Sequence, residues 1–263
     1  MSRVSQVRFT CHRESVAAAL DLVGAAGRLP RKGLIILKPN LTNADGPPVT
    51  TPVRTVEAVL DYCRAHSEAE VAIGEGSGFG RTADSFDANG YTELARRRNV
   101  RLLDFNEERS IPLEREDALA LKKFHLPAVA RDAFVVSIPV LKDHSFTVTT
   151  ISMKNMFGLA PAARYRGNWN KSRLHAPSTH MSVVDICLYK PPGLCVVDAT
   201  VALAGMHLSG KPVRLGLILA GLDPVAVDAL GSALLGHDPE RIEYLRLADG
   251  RLGRMRDVER VEG

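Results

Sequence analysis

Residues 134–160, FVVSIPVLKDHSFTVTTISMKNMFGLA, decide how the chain is read. The first eight, up to Leu141, form an apolar run interrupted only by Ser137, with Pro139 near its end. Such a run reads as a strand buried on both faces rather than one side of an amphipathic helix. It stops at Lys142, Asp143 and His144, three ionisable groups at a strand's carboxyl end, where open parallel sheets collect their ligands. Lys154 and Asn155 follow in the MKN triplet. From His144 to Val184 there is no Asp or Glu, whereas Lys154, Arg164, Arg166, Lys171 and Arg173 all fall inside. A segment of that charge attracts anions.

Toward the amino terminus the same grammar recurs. VRFT reads as a short strand and residues 15–27 as a helix opened by Ser15 and stopped by Gly27. A buried strand over 34–37 ends in Lys38, Pro39 and Asn40. Thr51 and Pro52 make an N-cap and N1 pair for a helix over 53–66. A strand over 70–73 runs into GEGSGFG, where dense glycine lets a ligand approach the backbone. That spacing is not GxGxxG, and Glu75 would repel a phosphate, which argues against a dinucleotide site. A helix over 91–99 and a strand over 100–103 lead to Asp104. Residues 107–133 are charged and irregular, with a short strand or two forming a hairpin at the sheet's edge.

Toward the carboxyl terminus comes a long basic loop over 160–180, of a length usually reserved for function. A helix over 182–189, a strand over 194–197 ending in Asp198, and a strand over 215–220 follow. Asp223 with Pro224 caps a helix closing at Gly236, Asp238 with Pro239 repeats the device for the last helix, and the charged tail from Arg251 frays. Alternating strands and helices predict a single α/β domain, a layered fold whose mostly parallel central sheet is flanked by helices.

The chain has 263 residues, of which 45% are hydrophobic, enough for a substantial core. Its four cysteines form no CxxC pair, which is cytosolic usage. No apolar run approaches the length of a membrane span. These features point to a soluble, cytoplasmic protein. A net charge of +4 and 5% aromatic residues argue against a nucleic-acid partner.

Six strands thus end in polar or ionisable groups: Lys38 with Asn40, Glu75, Asp104, Lys142 with His144, Asp198, and Asp223. In a parallel sheet these ends share one rim. Each has a structural reading too, Asp223 as a helix cap and Asp104 as a turn former. Two chemistries fit the set. Glu75, Asp198 and the imidazoles of His144 or His175 suit a divalent metal. Alternatively Lys142, Lys154 and His144 act as general acid and base while Lys38, Asn40, Asn155 and Arg173 bind a carboxylate or phosphate.

Taken together, KPN at 38–40, the threonine–proline helix start at Thr51, GEGS at 74–77, PVLKDH at 139–144, MKNMFG at 153–158, His175 after the basic loop, VVDA at 196–199 and AGLDPVAVDALG at 220–231 resemble the family called domain of unknown function 362. The resemblance runs from about residue 34 to about residue 252. Relatives in that family often carry ferredoxin-like clusters on CxxCxxC runs, which implies docking onto a redox partner. This sequence has no such run, so no iron–sulfur cluster is expected. The expected function is an enzyme acting on a small anionic metabolite. The rivals are a phosphate or nucleic-acid binding module using Arg164, Arg166, Lys171 and Arg173 with Tyr165 and Trp169 stacking on bases, and an accessory protein to a redox partner.

Overall fold

The apolar runs of the sequence become the inner strands of one large sheet in a computed structural model that describes residues 2–263. In chain order the elements are β1 (Ser2–Arg8), α1 (His12–Leu22), β2 (Leu34–Pro39), α2 (Val53–His66), β3 (Glu70–Glu75), α3 (Thr82–Ala88), α4 (Tyr91–Arg98), β4 (Arg101–Asp104), β5 (Ser110–Glu114), β6 (Lys123–Pro127), β7 (Phe134–Ile138), β8 (Val140–His144), β9 (Val148–Thr150), α5 (Ser152–Asn155), α6 (Ala162–Tyr165), α7 (Thr179–Tyr189), β10 (Leu194–Ala204), β11 (Lys211–Gly221), α8 (Pro224–Leu234), α9 (Glu243–Ala248) and β12 (Val258–Glu262). Across the sheet the order is β12-β1-β11-β10-β7-β2-β3-β4, with β8 continuing beside β10 and β9 beside β8. The pairs from β10 through β4 are parallel, whereas β11 runs antiparallel to both its neighbours.

Both faces of the inner strands are covered, and so their sequences are continuously apolar. Along β2, Ile35 and Leu37 join one core with α1 and α2, while Ile36 points into a second core with α7 and α9. At the outer edge β12, with sequence VERVE, carries charge, a usual guard against edge pairing. No helix among the described residues is long and apolar enough to cross a membrane.

Several expectations need correction. The run over 134–141 is two strands, because Pro139 has no N–H to continue the ladder; β7 pairs with β2, and β8 then turns to pair with β10 and β9. Thr51 does not cap α2. Its hydroxyl accepts from the Asn40 N–H at 2.9 Å and donates to the Ile138 carbonyl at 2.7 Å, tying the ends of β2 and β7 together. The helix from Ser15 begins at His12 and yields to a 3₁₀ turn after Gly24, which is left-handed at φ 66°. Asp238 caps only a 3₁₀ turn, with α9 following it. The tail does not fray, since β12 pairs with β1 in parallel. Asp223 does cap α8, accepting from Val225 and Ala226 N–H.

The segment over 107–133 is not part of the sheet's edge. β5 and β6 form a separate antiparallel hairpin, with Phe124 and Leu126 buried in the second core. Its anchor is Asp185 of α7, fully buried, whose carboxylate accepts from the N–H groups of Leu119, Ala120 and Leu121 at 2.6–2.7 Å. Hydrogen bonds to a charged acceptor are worth about 1.5–3 kcal/mol. Asp185→Ala is therefore expected to lower unfolding free energy by at least about 3 kcal/mol, and to raise hydrogen exchange at Leu119–Leu121. Unchanged exchange there would show that the hairpin is held by apolar contacts alone.

Candidate functional site

Parallel pairing sets Lys38 beside Ser137 and Glu75 beside Asp104, so the carboxyl ends of β2, β3 and β7 open on one rim. Lys38 is fully buried there. Its Nζ donates to Glu75 Oε2 at 2.9 Å, to the Pro39 carbonyl at 3.0 Å and to Asn155 Oδ1 at 3.1 Å. Burial lowers the Lys38 amine and Glu75 opposes that shift; three acceptors for three N–H bonds suit the ammonium form. Glu75 also accepts from the Leu41 and Gly76 N–H groups, so its two oxygens answer three donors.

Asn155 is the brace of this centre. Its Oδ1 accepts from Lys38 and Asn40, and its Nδ2 donates to the Lys38 carbonyl and Ser137 Oγ. Asn155 and Lys154 reach the rim because α5 starts on Asp228, whose buried carboxylate accepts from the Ser152 and Met153 N–H groups. Burial raises the Asp228 carboxyl to about 7.

A cavity of about 270 Å³ lies over this centre. Its wall carries Lys142, Lys154, Lys171, Glu75, Asn40 and Asn155, and its mouth carries His144, His175 and His207 with the rings of Phe79, Phe146 and Trp169. Four lysine amines thus gather about one carboxylate. Lys142 donates to the Val49 carbonyl at 2.7 Å. Lys171 donates to Asn106 Oδ1 and to the Ala160 carbonyl. Lys154 makes no hydrogen bond to the described residues and lies 3.6 Å from the Phe157 ring centroid. Burial, more than any other cause, brings Lys142, Lys154 and Lys171 each down to about 7; for Lys154 the neighbouring Lys142 and Lys38 add to it.

The three imidazoles are held neutral. Burial, with Lys154 next, lowers His144 far below its usual range and His175 to about 4; burial and Lys142 bring His207 to about 4. His144 Nδ1 accepts from the Phe146 N–H at 3.0 Å, which places the ring's proton on Nε2. His144 and His207 stack with centroids 4.1 Å apart.

The basic loop over 160–180 contains the single turn α6 and a 3₁₀ turn at Ser172–His175. Asn170 fastens it to the glycine loop, donating from its N–H to Gly78 and from its Nδ2 to the Ser77 and Gly80 carbonyls. The glycines serve this closeness. A Cβ on Gly158 would sit 1.8 Å from Glu75 Oε1 and 2.6 Å from Lys38 Nζ.

Of the residues expected at the site, Lys38, Asn40, Glu75, Lys142, His144, Lys154, Asn155 and His175 meet here. Arg173 does not; it is exposed on the loop's outer side while Lys171 turns inward. Asp198 stands apart, bonded to the Thr55 and Thr200 hydroxyls. Asp223 lies at the opposite rim, because β11 is antiparallel and its end, Gly221, pairs with the start of β10 at Cys195. The metal set of Glu75, Asp198 and His144 or His175 is not assembled, and no group of three or more His, Cys, Asp or Glu among the described residues is placed to hold an ion. The sequence placed Lys171 only in the basic loop and in the rival phosphate or nucleic-acid module, and it did not mark His207 at all. The first was signalled by the acid-free loop, but its burial was not; the second lies in the β10–β11 turn, where nothing marked it.

A doubly covered, mostly parallel α/β sheet with a lysine-lined pocket at its carboxyl rim defines the class of protein. Residues 35–233 match the sequence profile of the family described as Domain of unknown function (DUF362), and the chain belongs to that family. It is also similar to the Thylakoid-associated protein sll1697 of Synechocystis sp., at 27% identity over 247 residues, covering 91% of this chain and 74% of that protein.

Two outcomes follow from this geometry. Gly158→Ala must displace the Lys38–Glu75 pair and is expected to cost about 3–5 kcal/mol, the penalty for breaking a buried pair; a wild-type melting temperature would contradict it. The second concerns pH. Unfolding returns Lys142, Lys154 and Lys171 from about 7 to near 10.5. Above pH 7 the unfolded chain therefore binds more protons than the folded one, and stability rises with pH toward about 8.5, by up to about 1.4 kcal/mol per pH unit for each lysine. Denaturant unfolding across that window should show a shallower rise in Lys154→Met, and equal slopes would contradict the assignment.

Proposed function

We propose that the protein is an enzyme that binds a small anionic metabolite, bearing a carboxylate or phosphate, and transforms it by acid/base chemistry at Lys142 and Lys154, with His144 as a hydrogen-bond donor to the ligand. The observation that carries this reading is the charge count at the pocket: Lys142, Lys154 and Lys171 line it, and Lys38 beneath them is already paired to Glu75, the single carboxylate of the wall. An anion relieves that imbalance and restores the lysines' protons. Other wall atoms are also unanswered: Asn40 Oδ1, Thr150 Oγ1 and His207 Nδ1 are buried without a partner, which suits a ligand carrying donors beside its charge.

The roles divide by what each group already touches. Lys38 and Asn155 are consumed by internal bonds and fix the floor. Lys142, with one protein acceptor, keeps two N–H bonds for the ligand. Lys154, poised near neutrality, is suited to take or give a proton at working pH. His144, neutral with its proton on Nε2, is a hydrogen-bond donor and not a base. Glu75 is occupied by Lys38, so the donor set favours amine acid/base chemistry over a metal-assisted route. A small anion is also favoured over nucleic acid. Arg164, Arg166 and Arg173 are exposed outside the pocket, and the Tyr165 ring is packed against Phe124.

Melting temperature measured with phosphate and with small mono- and dicarboxylates tests the binding step. At least one of these anions should stabilise the protein, more at pH 6.5 than at pH 8.5, and Lys142→Met or Lys154→Met should abolish the effect. With a converted substrate in hand, Lys142→Met combined with His144→Gln should lower kcat/KM by about a hundredfold or more. Indifference to every anion, or undiminished stabilisation in both lysine variants, would remove the proposal.

A further inference from the structure

We infer that Lys154 is a nucleophile that forms a Schiff base with a carbonyl group carried by the anionic ligand, which makes the substrate class a keto acid or a phosphorylated aldehyde. This rests on the anion-site reading above and adds the reacting group. The four amines are not equivalent. Lys38 has three protein acceptors, Lys171 has two and Lys142 has one. Only Lys154 has none, with its Nζ over the face of Phe157 inside the cavity wall. An amine that nucleophilically attacks a carbonyl must present its lone pair, and a lysine desolvated beside other cations is the usual way to obtain one. Lys154 meets both conditions: it is buried, and Lys142 and Lys38 are the cations nearest in effect.

The partners are in place for the remaining steps. Lys142 is free to hold the carboxylate or phosphate, and the neutral His144 offers a hydrogen bond for the carbonyl oxygen. The Lys154 nitrogen pair forms the N–C bond while the C=O π pair moves to oxygen, giving a carbinolamine after the nitrogen loses one proton and the oxygen gains one. The C–O bond then breaks, its electron pair leaving with the oxygen as water after a second proton arrives from the Lys142 ammonium or solvent. Nitrogen's pair closes the C=N bond. The iminium retains one N–H, and no oxidant or reductant is consumed.

The test uses the full chain with pyruvate as the carboxylate probe and glycolaldehyde phosphate as the phosphate probe, each trapped at pH 7 by sodium cyanoborohydride. The adduct is mapped by peptide mass spectrometry, and the probe that labels distinguishes the two classes. Labelling at Lys154 is expected to exceed that at the exposed Lys122 and Lys123 by about tenfold or more, because those amines lie outside the pocket that holds the anion. Lactate and inorganic phosphate, which bear the anion without the carbonyl, should suppress it. Mapping on the unmodified sequence needs no variant to fold; Lys154→Met should then lose the adduct. Anions that raise the melting temperature without any Lys154 adduct would overturn the Schiff base while leaving the anion site standing. A lack of both labelling and anion stabilisation would overturn both, and labelling led by exposed lysines would overturn the Schiff base.

Discussion

The buried ion pair between Lys38 and Glu75, 2.9 Å across, is the constraint on which the rest of the rim depends. Neither charge belongs in a core by itself. The desolvation cost of each is several kcal/mol, and their attraction offsets it only when the remaining hydrogen bonds are made. Here they are: Pro39 and Asn155 complete the ammonium, and Leu41 and Gly76 complete the carboxylate. Asn155 must therefore be where it is. That fixes α5, which in turn needs Asp228 beneath its first N–H groups, and Gly158 must be glycine. Lys154 projects into the cavity as a consequence of this chain of requirements.

Glu75 is also the only carboxylate set against four amines, so it cannot neutralise them all. Lys38 takes it by direct contact. The other three lysines are left buried in the cavity wall without a carboxylate in contact, and burial brings each down to about 7. The protein accepts this instability at one place, as functional sites commonly do. Elsewhere its buried carboxylates are answered by backbone N–H groups, as Asp185 and Asp228 are, or by hydroxyls, as Asp198 is.

Much of the fold was readable because burial on two faces leaves a continuous apolar signature. β2, β3, β7 and β10 announce themselves in this way, and the polar residue after each run marks the rim. The convergence of Lys38, Glu75 and Lys142 could therefore be anticipated from strand ends alone, whereas Lys154 arrives on α5. What could not be read was direction. A strand's sequence does not say whether it runs with or against its neighbour, so β11 carried Asp223 to the wrong rim. Nor does composition separate a lysine that turns inward from an arginine two residues on that stays in water. Lys171 is buried on Asn106 Oδ1 and the Ala160 carbonyl, whereas Arg173 stays exposed. Asp198 was misassigned for a related reason: it follows the grammar of a ligand, but Thr55 and Thr200 already satisfy it.

The central claim is that the pocket's lysines are short of counter-charge. It is tested most directly by following the ¹³Cε resonances of labelled lysine through a pH titration of the folded protein. Three of the pocket lysines should titrate near neutrality, far below the exposed ones, and should move upward together when a bound anion is added. If all lysines titrate together near their ordinary value, with or without anions, the charge imbalance does not exist and the site has been misread.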